Sequence, residues 1–289
     1  MGEKLGQHFL KDKNALIKIE AALNLKSKDT VIEIGAGHGE LTEELKAKSA
    51  KRKIQSGKLK TESGKLEEKN EKRKIGMGGI KIIAVEKDSS LAELLKKKFE
   101  EDENVEVVEG DALKTLNSIT NNLQQKKYKI AGNIPYYITG HLLKIISKLD
   151  NKPEICVFTI QKEVAIRMSA EPPRMNRLAA AVQFWAEPEI IEYLPAKLFS
   201  PPPEVDSALI RLQVVGGRFK VDAKKYYRMV RILFQQPRKT ILNNLASGLD
   251  LNRLEITKML NKIGVSPSSR PQDMTIENII ELANSLAEK

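Results

Sequence analysis

The chain has 289 residues, of which 41% are hydrophobic and 30% are charged. This balance is typical of a globular protein with one large domain and room for a smaller one. Its apolar runs stay well short of the roughly 20 residues that a membrane-spanning helix needs, which argues against a membrane protein. The charged N-terminus has no signal-peptide core, and the lone Cys156 excludes internal disulfides and a Cys-rich zinc site. We therefore expect a cytoplasmic protein without a metal centre.

The formal net charge of +11 suggests a polyanionic partner, but most of this charge is confined to one segment. Residues 46–74 contain 12 Lys or Arg and 4 Glu, and the tetrapeptide Ser-Gly-Lys-Leu occurs there twice. A segment so charged, with so few branched apolar residues, is typical of a low-complexity insertion outside the core. Two interpretations stay open for it: a passive solvated loop, and a non-specific attraction to nucleic acid.

Strands and helices alternate on both sides of that segment. The apolar strands that we predict are 30–34, 80–85, 105–108, 128–130, 155–160 and 206–212. Helical patterns follow the first two strands, and another helix begins at Gln161. Such alternation predicts a mostly parallel sheet with helices on both faces.

The last part of the chain has a different pattern. Helices are predicted over 224–233, 240–245, 253–263 and 275–287. The pair Gly216-Gly217 lies just before them, and consecutive glycines interrupt regular structure. We therefore predict one large domain over residues 1–216 and a small helical domain over 217–289.

Glycines and carboxylates follow the predicted strands where a ligand would bind. The turn Gly35-Ala36-Gly37-His38-Gly39 follows the first strand, and its small residues let the backbone approach a ligand closely. The spacing differs from the dinucleotide fingerprint, and no phosphate-binding lysine follows the glycines. Glu86, just beyond the second strand, is placed to accept hydrogen bonds from ribose hydroxyls, and Asp111 from an adenine amine. These features favour S-adenosylmethionine over NAD as the ligand.

The stretch Asn133-Ile134-Pro135-Tyr136-Tyr137 is an unusual way to leave a strand. A loop that only had to turn would more often use Gly, Ser, Asn or Asp. Two consecutive tyrosines instead favour a surface that stacks on something flat. A packed corner at the end of the strand is the alternative interpretation.

Taken in chain order, these motifs closely resemble those of the ribosomal RNA small-subunit adenine dimethyltransferases (KsgA type), over nearly the whole chain. The matching segments are 7–10, 33–39, 84–88, 110–112, 133–139, 161–165, 199–207 and 238–240. The resemblance implies a class I, Rossmann-like methyltransferase fold with a mostly parallel seven-stranded sheet and a small α-helical C-terminal domain. The segment 46–74 departs from the family, whose members usually connect the first helix to the second strand by a short loop.

The same resemblance assigns roles to individual residues. For the cofactor, S-adenosylmethionine, it implies the residues His8, Leu10, Gly35, Gly37, Glu86, Asp111 and Asn133. For the target adenine, which must leave its base stack, it implies Asn133, Ile134, Pro135, Tyr136 and Phe199. Asn133 and a carbonyl near Ile134 would accept hydrogen bonds from the exocyclic amine, while Tyr136 and Phe199 would stack on the base. For the RNA backbone it implies Arg238 and Lys239.

Alternatives remain open for some of these residues. Phe199 also fits a core phenylalanine beside a proline run, and Arg238 and Lys239 also fit ordinary solvated side chains. His38 lies in the glycine turn and need only line it.

The implied activity is the N6,N6-dimethylation of two adjacent adenosines near the 3′ end of small-subunit ribosomal RNA. The expected partner is that RNA within an immature 30S-type particle, bound by a monomeric, cytoplasmic enzyme. Two other functions stay in view. The macrolide-resistance methyltransferases of large-subunit RNA share the Asn-Ile-Pro-Tyr loop, although 161–165 and 199–207 favour the small-subunit family. A ribosome-assembly factor that has lost catalysis is the other, and the intact Gly35, Glu86, Asp111 and Asn133 argue against it.

Overall fold

The computed structural model describes residues 7–47, 79–124, 126–216 and 219–285. Almost all of the predicted insertion at 46–74 therefore lies outside the described residues. The chain divides into two compact units. The first consists of Met1–Lys162 and Ile190–Val214, and the second of Glu163–Glu189 and Val215–Lys289. The predicted division at residue 216 differs in one respect, since the segment Glu163–Glu189 belongs with the C-terminal helices.

The described strands are β1 Phe9–Leu10, β2 Thr30–Ile34, β3 Lys81–Glu86, β4 Val105–Glu109, β5 Tyr128–Asn133, β6 Ile155–Gln161, β7 Ala186–Leu194, β8 Phe199–Ser200 and β9 Ser207–Val214. Seven of them form one sheet with the strand order β4-β3-β2-β5-β6-β9-β7. Strands β2 to β6 run parallel to one another, and β9 runs antiparallel to β6. A two-stranded antiparallel sheet joins β1 to β8. The mostly parallel α/β sheet that the sequence predicts is confirmed.

Helices connect the strands and make up most of the second unit. Described in chain order, they are α1 Lys13–Ala22, α2 over 40–47 (as far as it is described), α3 Ser89–Lys98, α4 Ala112–Asn122, α5 Thr139–Ile146, α6 Lys162–Met168, α7 Arg177–Gln183, α8 Ala223–Leu233, α9 Ile241–Gly248, α10 Arg253–Lys262 and α11 Ile276–Ser285. Short 3-10 turns lie at Tyr136–Ile138, Ala196–Leu198 and Pro271–Asp273. Among the described residues, no helix has the length and apolar character needed to cross a membrane.

The first unit has its core on the parallel strands. All five residues of β2 are buried, as are the last five of β3, which is the expected pattern for parallel strands covered on both faces. Helices then begin at side chains that cap them: Asp88 accepts a hydrogen bond from Leu91 N, and Asp111 accepts one from Leu113 N. Because such caps fix where each helix starts, they also fix the short loops at the carboxyl ends of the strands.

The second unit has a core of its own around α8. Tyr226, Met229 and Leu233 are fully buried on one side of this helix, and the Tyr226 ring stacks on Phe184 with ring centroids 4.0 Å apart. The Tyr226 hydroxyl donates to the carbonyl of Ala180 at 2.8 Å. The other side of α8 is exposed and polar, so the helix is amphipathic with 3.6-residue periodicity.

Candidate active site

A cavity of about 130 Å³ opens at the carboxyl ends of the parallel strands. Ligands of open parallel sheets bind at this edge. Ten of the eleven residues predicted for the cofactor and the adenine line the cavity: His8, Gly35, Gly37, Glu86, Asp111, Asn133, Ile134, Pro135, Tyr136 and Phe199. The exception is Leu10, which is buried in the core of the first unit and pairs with Phe199 between β1 and β8.

The glycine turn forms one wall of the cavity. Gly35 and Gly37 have φ angles of +71° and +58°, a region that side chains with a Cβ rarely adopt. A Cβ on Gly37 would lie 2.9 Å from the ring of Phe9, so the turn also needs glycine for space. Gly35 N donates to the carbonyl of Val85 at 2.9 Å, which ties the turn to the neighbouring strand.

Glu86 ends β3 and is only 4% exposed. One carboxylate oxygen accepts from Gly37 N at 2.8 Å, and the other accepts from Lys87 N at 2.8 Å and Asp88 N at 2.9 Å. A carboxylate offers about four acceptor positions, so three backbone donors leave capacity for a further hydrogen bond. The backbone therefore orients this carboxylate at the cavity wall.

Asp111 lies on the next strand end and has two fixed contacts. Its Oδ1 caps α4 by accepting from Leu113 N at 3.0 Å, and its Oδ2 lies 3.3 Å from Lys87 Nζ. The preceding Gly110 donates its N–H to the carbonyl of Glu86 at 2.7 Å. The strand ends of β3 and β4 are thus joined, and their two carboxylates face the same cavity.

Asn133 has a side chain that the fold orients. Its Nδ2 donates to the carbonyl of His8 at 2.5 Å, which leaves the side-chain oxygen as the group that can accept from a ligand. The next residue is fixed as well, because Ile134 N donates to the carbonyl of Thr159 at 3.0 Å. The backbone can pass this close to β2 because residue 132 is glycine: a Cβ there would lie 2.4 Å from the carbonyl oxygen of Ile34.

The three predicted aromatic residues of this region differ in exposure. Tyr136 is half-buried, and its hydroxyl lies 2.7 Å from the Ser207 hydroxyl. Burial raises the pKa of Tyr136 above its ordinary value, so the phenol stays neutral. Tyr137 points its ring outward and is 63% exposed. Phe199 is 5% exposed and packs in the core, as the alternative interpretation of the sequence expects, and it also lines the cavity. Its stacking on the adenine stays a prediction.

Sequence reasoning missed a buried acid beneath the glycine turn. Glu33, on β2, is 1% exposed and accepts a hydrogen bond from Thr42 Oγ1 at 2.6 Å. Burial raises the pKa of Glu33 from 4.5 to about 8, and the nearby Glu40 and Glu86 add to the effect. An acidic residue inside an otherwise apolar strand was the available signal.

The two predicted RNA-binding residues lie in the second unit. Arg238 and Lys239 are exposed, just beyond α8. The exposed side of α8 carries Lys224, Arg228 and Arg231 at helical spacing. We call these three residues the basic face of α8. None of them has a side-chain hydrogen bond or ion pair to any residue that the structure describes.

Two solved structures share this fold across almost the whole chain. A dimethyladenosine transferase from Plasmodium falciparum has a TM-score of 0.72 and 24% sequence identity, covering 95% of this chain and 96% of that one. The 23S rRNA methyltransferase ErmE has a TM-score of 0.68 and 23% identity, covering 96% of this chain and 98% of that one. At these identities the likeness concerns the fold alone.

Sequence comparison is more specific. A ribosomal RNA small subunit methyltransferase A from Dehalococcoides mccartyi is 34% identical over 276 residues, which cover 94% of this chain and 84% of that protein. The protein of the same description from Caldanaerobacter subterraneus is 34% identical over 292 residues, covering 98% of this chain and 96% of that one. The family model for the ribosomal RNA adenine dimethylases matches residues 2–56 and 80–288, and its gap falls mostly within the predicted insertion. This chain belongs to the ribosomal RNA adenine dimethylase family.

Proposed function

We propose that this protein transfers methyl groups from S-adenosylmethionine to the N6 atoms of two adjacent adenosines near the 3′ end of small-subunit ribosomal RNA, twice on each base. Family membership and the small-subunit methyltransferases that are 34% identical support the reaction and the substrate. The observation that carries the proposal is the orientation of Asn133, whose amide nitrogen is held by the His8 carbonyl. Its side-chain oxygen is thereby kept as an acceptor beside the cavity.

The residues of the cavity fit S-adenosylmethionine. Glu86 retains acceptor capacity after its three backbone contacts, which suits ribose hydroxyls. Asp111 supplies a second acceptor for the adenine amine of the cofactor, and the glycine turn lets the backbone approach the ligand. When bound, the cofactor supplies an electrophilic methyl group on a sulfonium. A role for Leu10 would be indirect, through its pairing with Phe199.

The target adenine enters beside Asn133 after it has left its base stack. The Asn133 oxygen and a carbonyl near Ile134 accept hydrogen bonds from the exocyclic amine, which draws the nitrogen lone pair out of conjugation. The ring of Tyr136, fixed through Ser207, stacks on the base, with Phe199 behind it. Methyl transfer from the bound cofactor to this nitrogen would release the amine proton to water, so no side chain would need to act as a base.

Contact with the RNA backbone is proposed for the second unit. Arg238, Lys239 and the basic face of α8 are exposed cations without acidic partners among the described residues, and such groups bind phosphates without reading sequence. We further propose that the protein acts as a cytoplasmic monomer on an immature 30S-type particle.

The test is incubation of immature small subunits with the protein and isotope-labelled S-adenosylmethionine, followed by mass spectrometry of the ribosomal RNA. Two adjacent N6,N6-dimethyladenosines near the 3′ end are expected. Asn133→Ala should give no product and serves as the inactive control. In a parallel incubation with large-subunit RNA, methylation of that RNA without methylation of the small subunit would instead favour the macrolide-resistance type of activity. Binding to the particle without any methyl transfer would favour a non-catalytic assembly factor.

A further inference from the structure

Tyr137 is an exposed aromatic residue at the rim of the cavity. It is 63% exposed, more than Tyr193 at 48%, and it lines the cavity together with Asn133 and Tyr136. Its hydroxyl has no partner among the residues that the structure describes. An aromatic ring left in water at this position forgoes the burial that normally stabilises such a residue.

The backbone that carries Tyr137 is well fixed. The residue lies in the 3-10 turn Tyr136–Ile138, where Ile138 N donates to the carbonyl of Pro135 at 3.1 Å. Ile134 N, just before the turn, donates to the carbonyl of Thr159 at 3.0 Å. The two neighbouring rings thus have different surroundings. The Tyr136 hydroxyl is hydrogen-bonded to Ser207, whereas the Tyr137 ring is exposed to solvent at the mouth of the cavity.

Removing one base from a stacked strand leaves the next base with an exposed face. An aromatic ring carried by a fixed backbone at the mouth of the pocket can cover that face, and base–aromatic stacking does not depend on which base is present. Since the proposed targets are two adjacent adenosines, one of the two neighbours of the base in the pocket is the other target. Stacking of this kind is worth roughly a 5- to 150-fold change in RNA affinity.

We propose that Tyr137 is a positioning residue that stacks on the RNA base next to the adenosine held in the pocket. This inference rests on the proposed function and adds the place where the neighbouring nucleotide is bound. The ring does the stacking and the hydroxyl is dispensable, so Phe can replace Tyr137 and Ala cannot.

The experiment compares wild type, Tyr137→Ala and Tyr137→Phe on immature small subunits. Tyr137→Ala should raise KM for the particle about tenfold, with a smaller change in kcat and unchanged affinity for S-adenosylhomocysteine. Tyr137→Phe should match wild type. Tyr193→Ala is the matched control, because it removes another exposed ring that does not line the cavity, and it should behave as wild type.

A second readout follows the stacking itself. A reconstituted subunit whose RNA carries 2-aminopurine next to a target adenosine should fluoresce weakly in complex with wild type and more strongly with Tyr137→Ala. Equal KM values and equal fluorescence for these two proteins, with an active wild type, would overturn the inference alone. Equal losses in Tyr137→Phe and Tyr137→Ala would also overturn it, since they assign the effect to the hydroxyl. A wild-type protein that does not methylate the subunit would overturn the proposed function together with this inference.

Discussion

Hydrogen bonds fix the direction of the polar side chains in the cavity, whereas the side chains of the basic face of α8 have no such contacts among the described residues. Glu86, Asp111 and Asn133 each have backbone or side-chain partners that fix their direction. The basic face of α8, which consists of Lys224, Arg228 and Arg231, has no side-chain partners among the described residues. A fixed acceptor recognises one donor at one position, whereas a mobile exposed cation recognises only negative charge. The cavity is therefore suited to chemical selection, and the helix face to affinity without sequence preference.

The largest difference between the cavity and the basic face of α8 is expected when Asn133 is replaced. Asn133→Ala removes the acceptor for the exocyclic amine, so methyl transfer should fall by at least about 10²-fold, the cost typical of losing one preorganised polar group. Affinity for S-adenosylhomocysteine should change little, because Asn133 is proposed to act mainly on the adenine. Mass spectrometry of the RNA and calorimetry with the cofactor product measure the two quantities.

The matched control is Asn121→Ala, which alters an exposed asparagine near the end of α4 and should leave both quantities unchanged. Full methylation by Asn133→Ala would remove this residue from the catalytic machinery.

The next effect is on cofactor binding. Glu86→Ala should weaken S-adenosylmethionine binding by about 1.5–3 kcal/mol, the range for hydrogen bonds to a charged group. The variant also leaves Gly37 N and the N–H groups of Lys87 and Asp88 without their acceptor, so its stability to urea should fall as well. Calorimetry and urea unfolding are the measurements.

Glu86→Gln is a second variant of similar size, which keeps one acceptor oxygen but turns an N–H group toward the backbone donors. It should bind the cofactor at least as weakly as Glu86→Ala. An unchanged cofactor affinity in both variants would show that this carboxylate does not contact the ribose.

The basic face of α8 should give a smaller effect that depends on salt. Replacing Lys224, Arg228 and Arg231 by Ala should reduce affinity for the small subunit about tenfold in total, since exposed charges contribute roughly 0.2–1 kcal/mol each. The slope of log affinity against log salt should become less steep by about 2, because each phosphate contact contributes about 0.7. Filter binding at several salt concentrations measures both.

An equal change of charge elsewhere provides the control. Lys26, Lys126 and Lys148 are exposed, and the first two precede β2 and β5 at the sheet edge opposite the cavity. The variant in which all three are replaced by Ala should keep most of the salt dependence of affinity for the small subunit. If both triple variants change the slope equally, the basic face of α8 acts only through net charge and not as a docking surface.

A separate effect concerns stability rather than catalysis or binding: its pH dependence through Glu33. Its pKa is about 8 in the folded protein and near 4.5 when unfolded, so between these values folding requires uptake of a proton. The contribution of Glu33 to the free energy of unfolding is complete below pH 4.5 and is lost as the pH rises toward 8. Glu33→Gln cannot titrate, so its stability relative to wild type should increase between pH 5 and pH 8, by at most about 1.4 kcal/mol per pH unit.

Urea unfolding at pH 5, 6, 7 and 8 tests this expectation, with the exposed Glu101→Gln as control. Parallel stability profiles for Glu33→Gln and wild type would mean that Glu33 is ionised in the folded protein.

Local sequence patterns predicted most of the helices and strands. The prediction of a helix at 224–233 agrees closely with α8, Ala223–Leu233, and the strand predicted at 155–160 agrees with β6, Ile155–Gln161. Strand β7 was missed, because Pro188 near its start and three glutamates interrupt its apolar residues. The end of each parallel strand was predictable, so Glu86 and Asp111 could be assigned to one edge of the sheet.

The sequence by itself determined which residue types stand at the strand ends: the glycine turn, the two carboxylates and the Asn133–Tyr137 loop. Only the tertiary structure decided how they are oriented. The Asn133 amide is held by His8, 125 residues away, and Tyr136 is held by Ser207, 71 residues away. Periodicity and turn preferences act between near neighbours in the chain, so they carry no information about such distant partners. The same reason explains why the sequence alone did not show which of the two adjacent tyrosines would be exposed.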